Sequence, residues 1–196
     1  MTQSWNILEA LERTCVLKEG HFLLSSGRHS RQYMQCAQLL QHPQEAEEAG
    51  KAVAALFQDE SIDVVVGPAL GGVIIAYEVA RALGVRNIFA ERKDGKMELR
   101  RGFSVEPHER ILVVEDVVTT GGSVLEVIRL LEQEGAKNIV GVGSIVDRSG
   151  GNHPFQVPYR ALIPMDIISY PATECLLCHE GKPLVKPGSR KSVAGK

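Results

Sequence analysis

The stretch from Ile111 to Ser123 reads I-L-V-V-E-D-V-V-T-T-G-G-S, and it constrains the fold more than any other part of the chain. Four consecutive apolar residues, Ile111 to Val114, suit a strand buried on both faces, the condition of a strand inside a parallel sheet. Glu115 and Asp116 close that run, and Thr119, Thr120, Gly121 and Gly122 make a short loop rich in hydroxyls and free backbone N–H groups. A helical pattern begins at Ser123. Strand, loop and helix in this order form a cup at the C-terminal end of the strand. Loop amides at a helix N-terminus can hold a phosphate. The acid pair cannot face the same anion; it suits sugar hydroxyls or a divalent cation. A phosphorylated sugar satisfies both ends. The competing reading is a plain turn of a doubly wound protein, which would need neither the E-D pair nor the T-T-G-G run. The glycine spacing fits neither G-x-G-x-x-G nor G-x-x-x-x-G-K-[ST], and the missing lysine argues against a nucleoside triphosphatase.

The rest of the chain alternates in the same way. A first helix is expected over Ser4–Leu17, with Ser4 as N-cap and Ile7, Leu8, Leu11 and Val16 as its apolar positions. Gly20–Cys36 reads as short strands around a turn, and Pro43–Phe57 as a helix with Ala46, Ala49, Val53, Leu56 and Phe57 on one face. Strands are expected at Ile62–Val66, Asn87–Ala90, Arg110–Val114 and Asn138–Val146, with helices at Gly72–Leu83, ended by Gly84, and Gly121–Glu134, ended by Gly135. Such alternation predicts an α/β fold, a central parallel sheet flanked by helices. Ligands of such sheets bind beyond the strand C-termini. That rule puts residues 67–72, 91–102, 115–122 and 147–151 on one rim, as one composite site.

Bulk properties narrow the class. With 196 residues the chain suits one domain, and 44% apolar with 23% charged residues is the composition of a globular protein. A net charge of −2 gives no general attraction for nucleic acid. No apolar stretch is long enough to span a membrane, and Met1–Ala10 lacks a basic start and an apolar core, so a cytoplasmic protein with reduced thiols is expected. Four cysteines, Cys15, Cys36, Cys175 and Cys178, are too few and scattered for a disulfide framework.

Three further segments carry chemistry. Glu91–Arg101, E-R-K-D-G-K-M-E-L-R-R, holds five basic and three acidic residues around Gly95. It is either a solvated charged hairpin or a mobile lid whose Arg92, Lys93 and Lys96 clamp a pyrophosphate and exclude water. Arg148, in D-R-S-G-G at 147–151, sits where an acceptor base would bind and could grip a carboxylate or carbonyl edge; alternatively it pairs with Asp147. Cys175-Leu-Leu-Cys178-His179 has haem-attachment spacing, but haem attachment accompanies export. It is also half of a zinc site, with no second C-x-x-C, although His179 or a partner subunit could supply ligands. Reduced structural cysteines under a C-terminal turn is the simpler expectation. His42, His108 and His153 lie beside prolines and are assigned no role.

H-F-L-L-S-S-G-R-H-S at 21–30, G-P-A-L-G-G at 67–72, E-R-K-D-G-K at 91–96, the 111–123 segment, D-R-S-G at 147–150 and the C-terminal C-L-L-C-H-E-G-K-P-L-V-K-P-G-S-R occur in this order. Together they resemble the orotate phosphoribosyltransferases, within the type I phosphoribosyltransferase family, from about Ile7 to Arg190. The resemblance implies one phosphoribosyltransferase domain over 1–196. Its core would span about 44–147, its hood about 1–43 and 148–181, and its basic tail, 182–196, would be flexible, at least beyond Ser192. It also implies transfer of a 5-phosphoribosyl group from phosphoribosyl pyrophosphate (PRPP) to orotate, a homodimer with shared sites, and Mg2+ carried by PRPP rather than by protein ligands.

Carried over residue by residue, the resemblance places PRPP against Glu115, Asp116, Val117, Val118, Thr119, Thr120, Gly121, Gly122 and Ser123, with pyrophosphate against Arg92, Lys93 and Lys96. Thr119 and Arg148 would contact orotate, and Lys96 and Asp116 would be catalytic. The lid would reach partly into the other subunit's site. The chain departs from the pattern at Ser25 and Ser26, where many relatives have lysine, at Gly71, where many have lysine, and at Glu98, where many have histidine. Pyrophosphate would then rest more on backbone amides, metal and Arg92. Two alternatives remain: a phosphoribosyltransferase for another base, which would not need Arg148, and a non-catalytic PRPP-sensing regulator. The latter's only candidate nucleic-acid contact is the basic tail after Gly181.

Overall fold

The structure, a computed structural model, describes residues 5–24 and 26–187. Its centre is a six-stranded sheet of β3 (Val64–Pro68), β4 (Arg86–Lys93), β5 (Lys96–Leu99), β6 (Arg110–Val118), β7 (Asn138–Asp147) and β8 (Tyr159–Pro164), in the spatial order β5-β4-β3-β6-β7-β8. All neighbours are parallel except the β4–β5 hairpin. The expected parallel sheet covered on both faces is therefore what the chain forms. Alternate side chains of the central strands divide between two apolar layers, as the two-residue period of a strand requires. Val65, Leu112 and Val114 pack with α3 (Pro43–Ala55) and α4 (Gly71–Leu83). Val64, Val66, Ile111 and Val113 pack with α5 (Gly122–Gln133).

A second, antiparallel sheet is formed by β1 (Leu17–Leu23), β2 (His29–Met34) and β9 (Ser169–Tyr170), and Met34 of β2 packs into the α3–α4 layer of the core. This small sheet brings together strands from near both ends of the described chain and is called the hood below. Residues 148–181 divide between the sheets: β8 extends the core sheet and β9 the small one. A four-residue helix α2 (Ala37–Leu40) and a C-terminal turn of helix α6 (Leu176–His179) complete the described chain.

Several boundaries differ from the sequence reading for physical reasons. The first helix, α1, runs only Ile7–Arg13, capped by Asn6, whose side chain accepts from the N–H groups of Leu8 and Glu9. Ser4, the expected cap, lies outside the described residues. The helix ends early because Thr14 Oγ1 bonds back to Ala10 O and Cys15 turns left-handed at φ 52°, which frees Leu17 to begin β1. Strand β6 does not stop at Val114; pairing with β7 carries it through the two acids to Val118. The charged segment after Ala90 is a hairpin, β4–β5, turning at Asp94 (φ 48°) and Gly95 (φ 85°). Two successive positive φ values are what an Asp-Gly hairpin turn supplies. No helix among the described residues is long and apolar enough to cross a membrane.

Candidate active site

The C-terminal end of β6, the loop after it and the start of α5 line one side of a cavity of about 890 Å3. Gly121, the N-cap of α5, has φ 72°, and a Cβ there would meet the Phe155 ring at 2.7 Å. Only glycine combines this left-handed turn with so close an approach to Phe155. Of the residues expected to hold PRPP, Glu115 and Val117 through Ser123 line the cavity. Arg148, expected at the acceptor, lines the same cavity with Ser149 and Asn152.

Glu115 and Asp116 lie deep at the end of β6, facing the first turn of α4. A Cβ on Gly71 would come 2.7 Å from Asp116 Oδ1, and one on Gly72 would come 3.1 Å from Glu115 Oε1. Gly71, the expected lysine position of many relatives, is thus the place where the helix backbone packs against an acid. Glu115 Oε1 accepts from the Asp116 N–H at 3.2 Å and Asp116 Oδ1 from the Val117 N–H at 2.9 Å. Burial is the largest influence on both acids and raises both pKa values, Glu115 well above the carboxylate range, where the neighbouring charge of Asp116 adds to it. Charged together in this pocket they repel, so hydroxyl donors or a cation arriving with a ligand would suit them. Glu115 lines the cavity, and the half-buried Asp116 lies against the first turn of α4.

Arg148 does not pair with Asp147, the alternative raised by the sequence. Asp147 Oδ1 accepts instead from the Ser149 N–H at 2.7 Å, and the Arg148 backbone N–H is held by Val118 O at 2.8 Å. The buried Nε of Arg148 has no hydrogen-bond partner among the described residues. Burial lowers its pKa, while the nearby Tyr33 and Cys36 act in the opposite sense. A half-buried guanidinium with no acid paired to it among the described residues suits an anionic ligand.

Lys93 and Lys96 are not part of this cavity, and Arg92 is held at its edge. Arg92 forms an ion pair of 2.6 Å with Glu126, a cavity residue on α5, and donates to Gly95 O at 2.8 Å. Lys93 and Lys96 face each other across the tip of the hairpin. Glu98 pairs in register with Glu91 on β4. Ser25 lies outside the described residues, while Ser26 lines the cavity.

The sequence reading missed the hood wall. Leu23, Leu24, Tyr33, Ile167, Ser169, Lys186 and Pro187 all line the cavity. Burial raises the Tyr33 pKa, with the Asp116 charge adding to it. Lys186 belongs to the tail expected to be flexible, yet residues 182–187 are placed against β1: Leu23 N–H donates to Val185 O and Val185 N–H to His21 O, both at 2.8 Å. The run K-P-L-V-K-P in the C-terminal motif was the available signal. The expected disorder beyond Ser192 falls outside the described residues.

Residues 35–160 match the phosphoribosyl transferase domain, a span covering β3 to β7 and the whole strand–loop–helix segment from β6 to α5. An orotate phosphoribosyltransferase of Caldanaerobacter subterraneus subsp. tengcongensis is 55% identical over 185 residues, which are 94% of this chain and 97% of that one. Among solved structures, Mycobacterium tuberculosis orotate phosphoribosyltransferase in complex with inorganic phosphate superposes with a TM-score of 0.66 at 27% identity, covering 81% of this chain and 95% of that one. The same enzyme in complex with PRPP gives a TM-score of 0.58 at 26% identity, over 68% of this chain and 81% of that one. With the loop after β6, Glu115 and Arg148 around one cavity, and with relatives matched over nearly their full length, the chain belongs to the phosphoribosyltransferase family, among the orotate phosphoribosyltransferases.

Proposed function

We propose that the protein transfers the 5-phosphoribosyl group of PRPP to orotate, releasing pyrophosphate and forming orotidine 5′-monophosphate in de novo pyrimidine biosynthesis. The observation that carries the reading is a single cavity holding both the 118–123 loop and Arg148, whose buried Nε has no partner among the described residues. The loop offers amides and hydroxyls to a phosphate, and Arg148 offers a planar cation to a carboxylate.

In this reading Thr119 to Ser123 hold the 5-phosphate and Glu115 and Asp116 the ribose hydroxyls, while Arg148 and Thr119 orient orotate. Mg2+ bound through PRPP would neutralise charge building on the leaving pyrophosphate. Two adjacent carboxylates at the end of β6, one of them on the cavity wall, fit such a cation by their oxygen donors. The C1–O bond weakens toward an oxocarbenium-like sugar, and orotate N1 attacks from the opposite face with inversion. The chain's part is to align two anionic reactants and keep water out; no covalent enzyme nucleophile is required. Arg92, Lys93 and Lys96 meet the pyrophosphate. Because Lys93 and Lys96 stand away from their own chain's cavity, we assign them to the partner's site in a homodimer.

Orotate consumption, followed by ultraviolet absorbance, tests the proposal. Turnover is expected only when orotate, PRPP and Mg2+ are all present, and Lys96→Ala should abolish most of it. A folded protein that binds PRPP but leaves orotate untouched would refute the acceptor assignment.

A further inference from the structure

The C-x-x-C of the C-terminal segment lacks a second C-x-x-C, but the fold supplies two histidines in its place. His21 on β1 and His29 on β2 face Cys175 and Cys178, and one ligand atom from each of the four lies within 4.8 Å of all the others. His21 Nε2 is 3.1 Å from His29 Nδ1, 3.4 Å from Cys175 Sγ and 3.7 Å from Cys178 Sγ, and Cys178 Sγ is 3.2 Å from His29 Nδ1. A tetrahedral zinc with two sulfur and two nitrogen ligands has ligand–ligand edges of about 3.3 to 3.8 Å. The four separations fall close to that range. His21 and His29 are 4% and 5% exposed and Cys175 1%.

We propose that these residues form a structural zinc site, Cys175 and Cys178 as thiolates with His21 Nε2 and His29 Nδ1. Three observations support it beyond proximity. Lys182 O lies 2.9 Å from His21 Nδ1, so that nitrogen carries the proton and donates, leaving the Nε2 lone pair directed into the cluster. That single lone pair has three close neighbours, more than a metal-free set of hydrogen bonds can satisfy, whereas one cation at the centre satisfies all four groups. Two thiolates also cancel the charge of Zn2+, so the complex can be buried as a neutral unit. Thiolate and imidazole in tetrahedral array select zinc over the hard, oxygen-seeking Mg2+.

Four protein ligands leave no open position, so the role is structural. The metal would tie α6 to the β1–β2 hairpin. Just beyond α6, Val185 pairs with β1, and Lys186 and Pro187 reach the cavity wall. The hairpin's own turn contributes Leu23, Leu24 and Ser26 to that wall. The site would thus hold the hood in place. His179, the ligand the sequence suggested, is exposed and outside the cluster.

The inference does not depend on the acceptor base. The full chain, purified under reducing conditions without chelator, should carry one zinc per chain by mass spectrometry of the metal. After stripping and titration with Co2+, it should give the visible absorption of a tetrahedral thiolate complex, saturating at one equivalent. Cys178→Ser and His29→Ala should lose the zinc, while Cys15→Ser, an exposed cysteine outside the cluster, should keep it. Stripping should lower the melting temperature and zinc should restore it. Reduced, folded wild-type protein that neither contains zinc nor binds Co2+ would overturn the proposal, and needs no variant. A metal-free protein isolated with a Cys175–Cys178 disulfide would overturn it equally.

Discussion

Gly121→Ala should destabilise the protein through two separable effects, and their sizes follow from the structure. Gly121 sits at φ 72° and ψ 6°, a left-handed conformation. An L-residue there costs roughly 1 to 2 kcal/mol. The new Cβ would also stand 2.7 Å from Phe155 Cζ, 2.8 Å from Phe155 Cε1 and 2.8 Å from Pro154 Cδ. Ordinary carbon contacts are about 3.5 to 4.0 Å. The Phe155 ring cannot simply swing away, because it stacks on His153 at 4.9 Å and meets Tyr159 edge-on at 5.4 Å. Tyr159 is in turn tied to Ser144 by a 2.8 Å hydrogen bond. Overpacking of this kind costs about 1 to 3 kcal/mol. The total is about 2 to 5 kcal/mol, or a melting temperature lower by on the order of 10 °C for a chain of this size.

Gly84→Ala is the control. Gly84 has φ 70°, and nothing lies within 4 Å of the point a methyl group there would occupy, so it bears only the backbone effect. Calorimetry of the two variants should separate them by the steric share, about 1 to 3 kcal/mol. PRPP affinity, measured by titration calorimetry, should fall at least about tenfold in Gly121→Ala and remain at the wild-type value in Gly84→Ala. Equal melting temperatures for the two variants would refute the steric reasoning. Unchanged PRPP affinity in a destabilised Gly121→Ala would refute the assignment of the loop to phosphate.

Other perturbations test the remaining parts of the site. Because burial and the charge of Asp116 hold the Glu115 pKa above its unfolded value, the native state binds more protons than the unfolded one between those two values, and ionisation weakens the fold as pH rises. Glu115→Gln should therefore melt above wild type at pH 8, with the gap closing toward pH 5, while PRPP turnover falls; a gap that widens toward acid would reverse the argument. Arg148→Leu should lower kcat/KM for orotate by about tenfold to a hundredfold, the worth of charge-assisted hydrogen bonds, and leave PRPP binding intact. A variant that uses orotate normally would remove Arg148 from the acceptor site. Finally, Lys96→Ala and Arg148→Leu, each nearly inactive, should recover about a quarter of wild-type activity when refolded together, since half the dimers are mixed and each mixed dimer has one complete site. No recovery, with mixed dimers demonstrated, would place Lys96 in its own chain's site.

The sequence by itself determined the elements whose signal is local. Val64–Val66 and Ile111–Val114 had to be central strands because apolar runs of that kind are satisfied only with helices on both faces, and both are fully buried. The helix expected at 72–83 and its stop at Gly84 followed from periodicity and the terminal glycine, and the structure has it at Gly71–Leu83 with Gly84 left-handed. The order strand, loop, helix over 111–133 was legible for the same reason, since the three are contiguous in the chain, although the strand's end was not. Tertiary structure decided whatever depends on partners distant in sequence. Strand β8 exists because β7 offers an open edge, with Val142 opposite Tyr159 and Val146 opposite Ile163. The same kind of pairing extends β6 past its acids to Val118, where composition alone suggested an end. The charged run at 91–101 carries no apolar signal for a strand, yet an Asp-Gly turn folds it back onto β4, which leaves Lys93 and Lys96 away from the cavity. Cys175 and Cys178 looked like half of a site because their partners lie about 150 residues earlier, on two strands that only the hood brings together. Local periodicity is set by backbone geometry within a few residues, whereas a ligand set or a sheet edge is completed by backbone and side-chain groups that the chain must close long loops to reach.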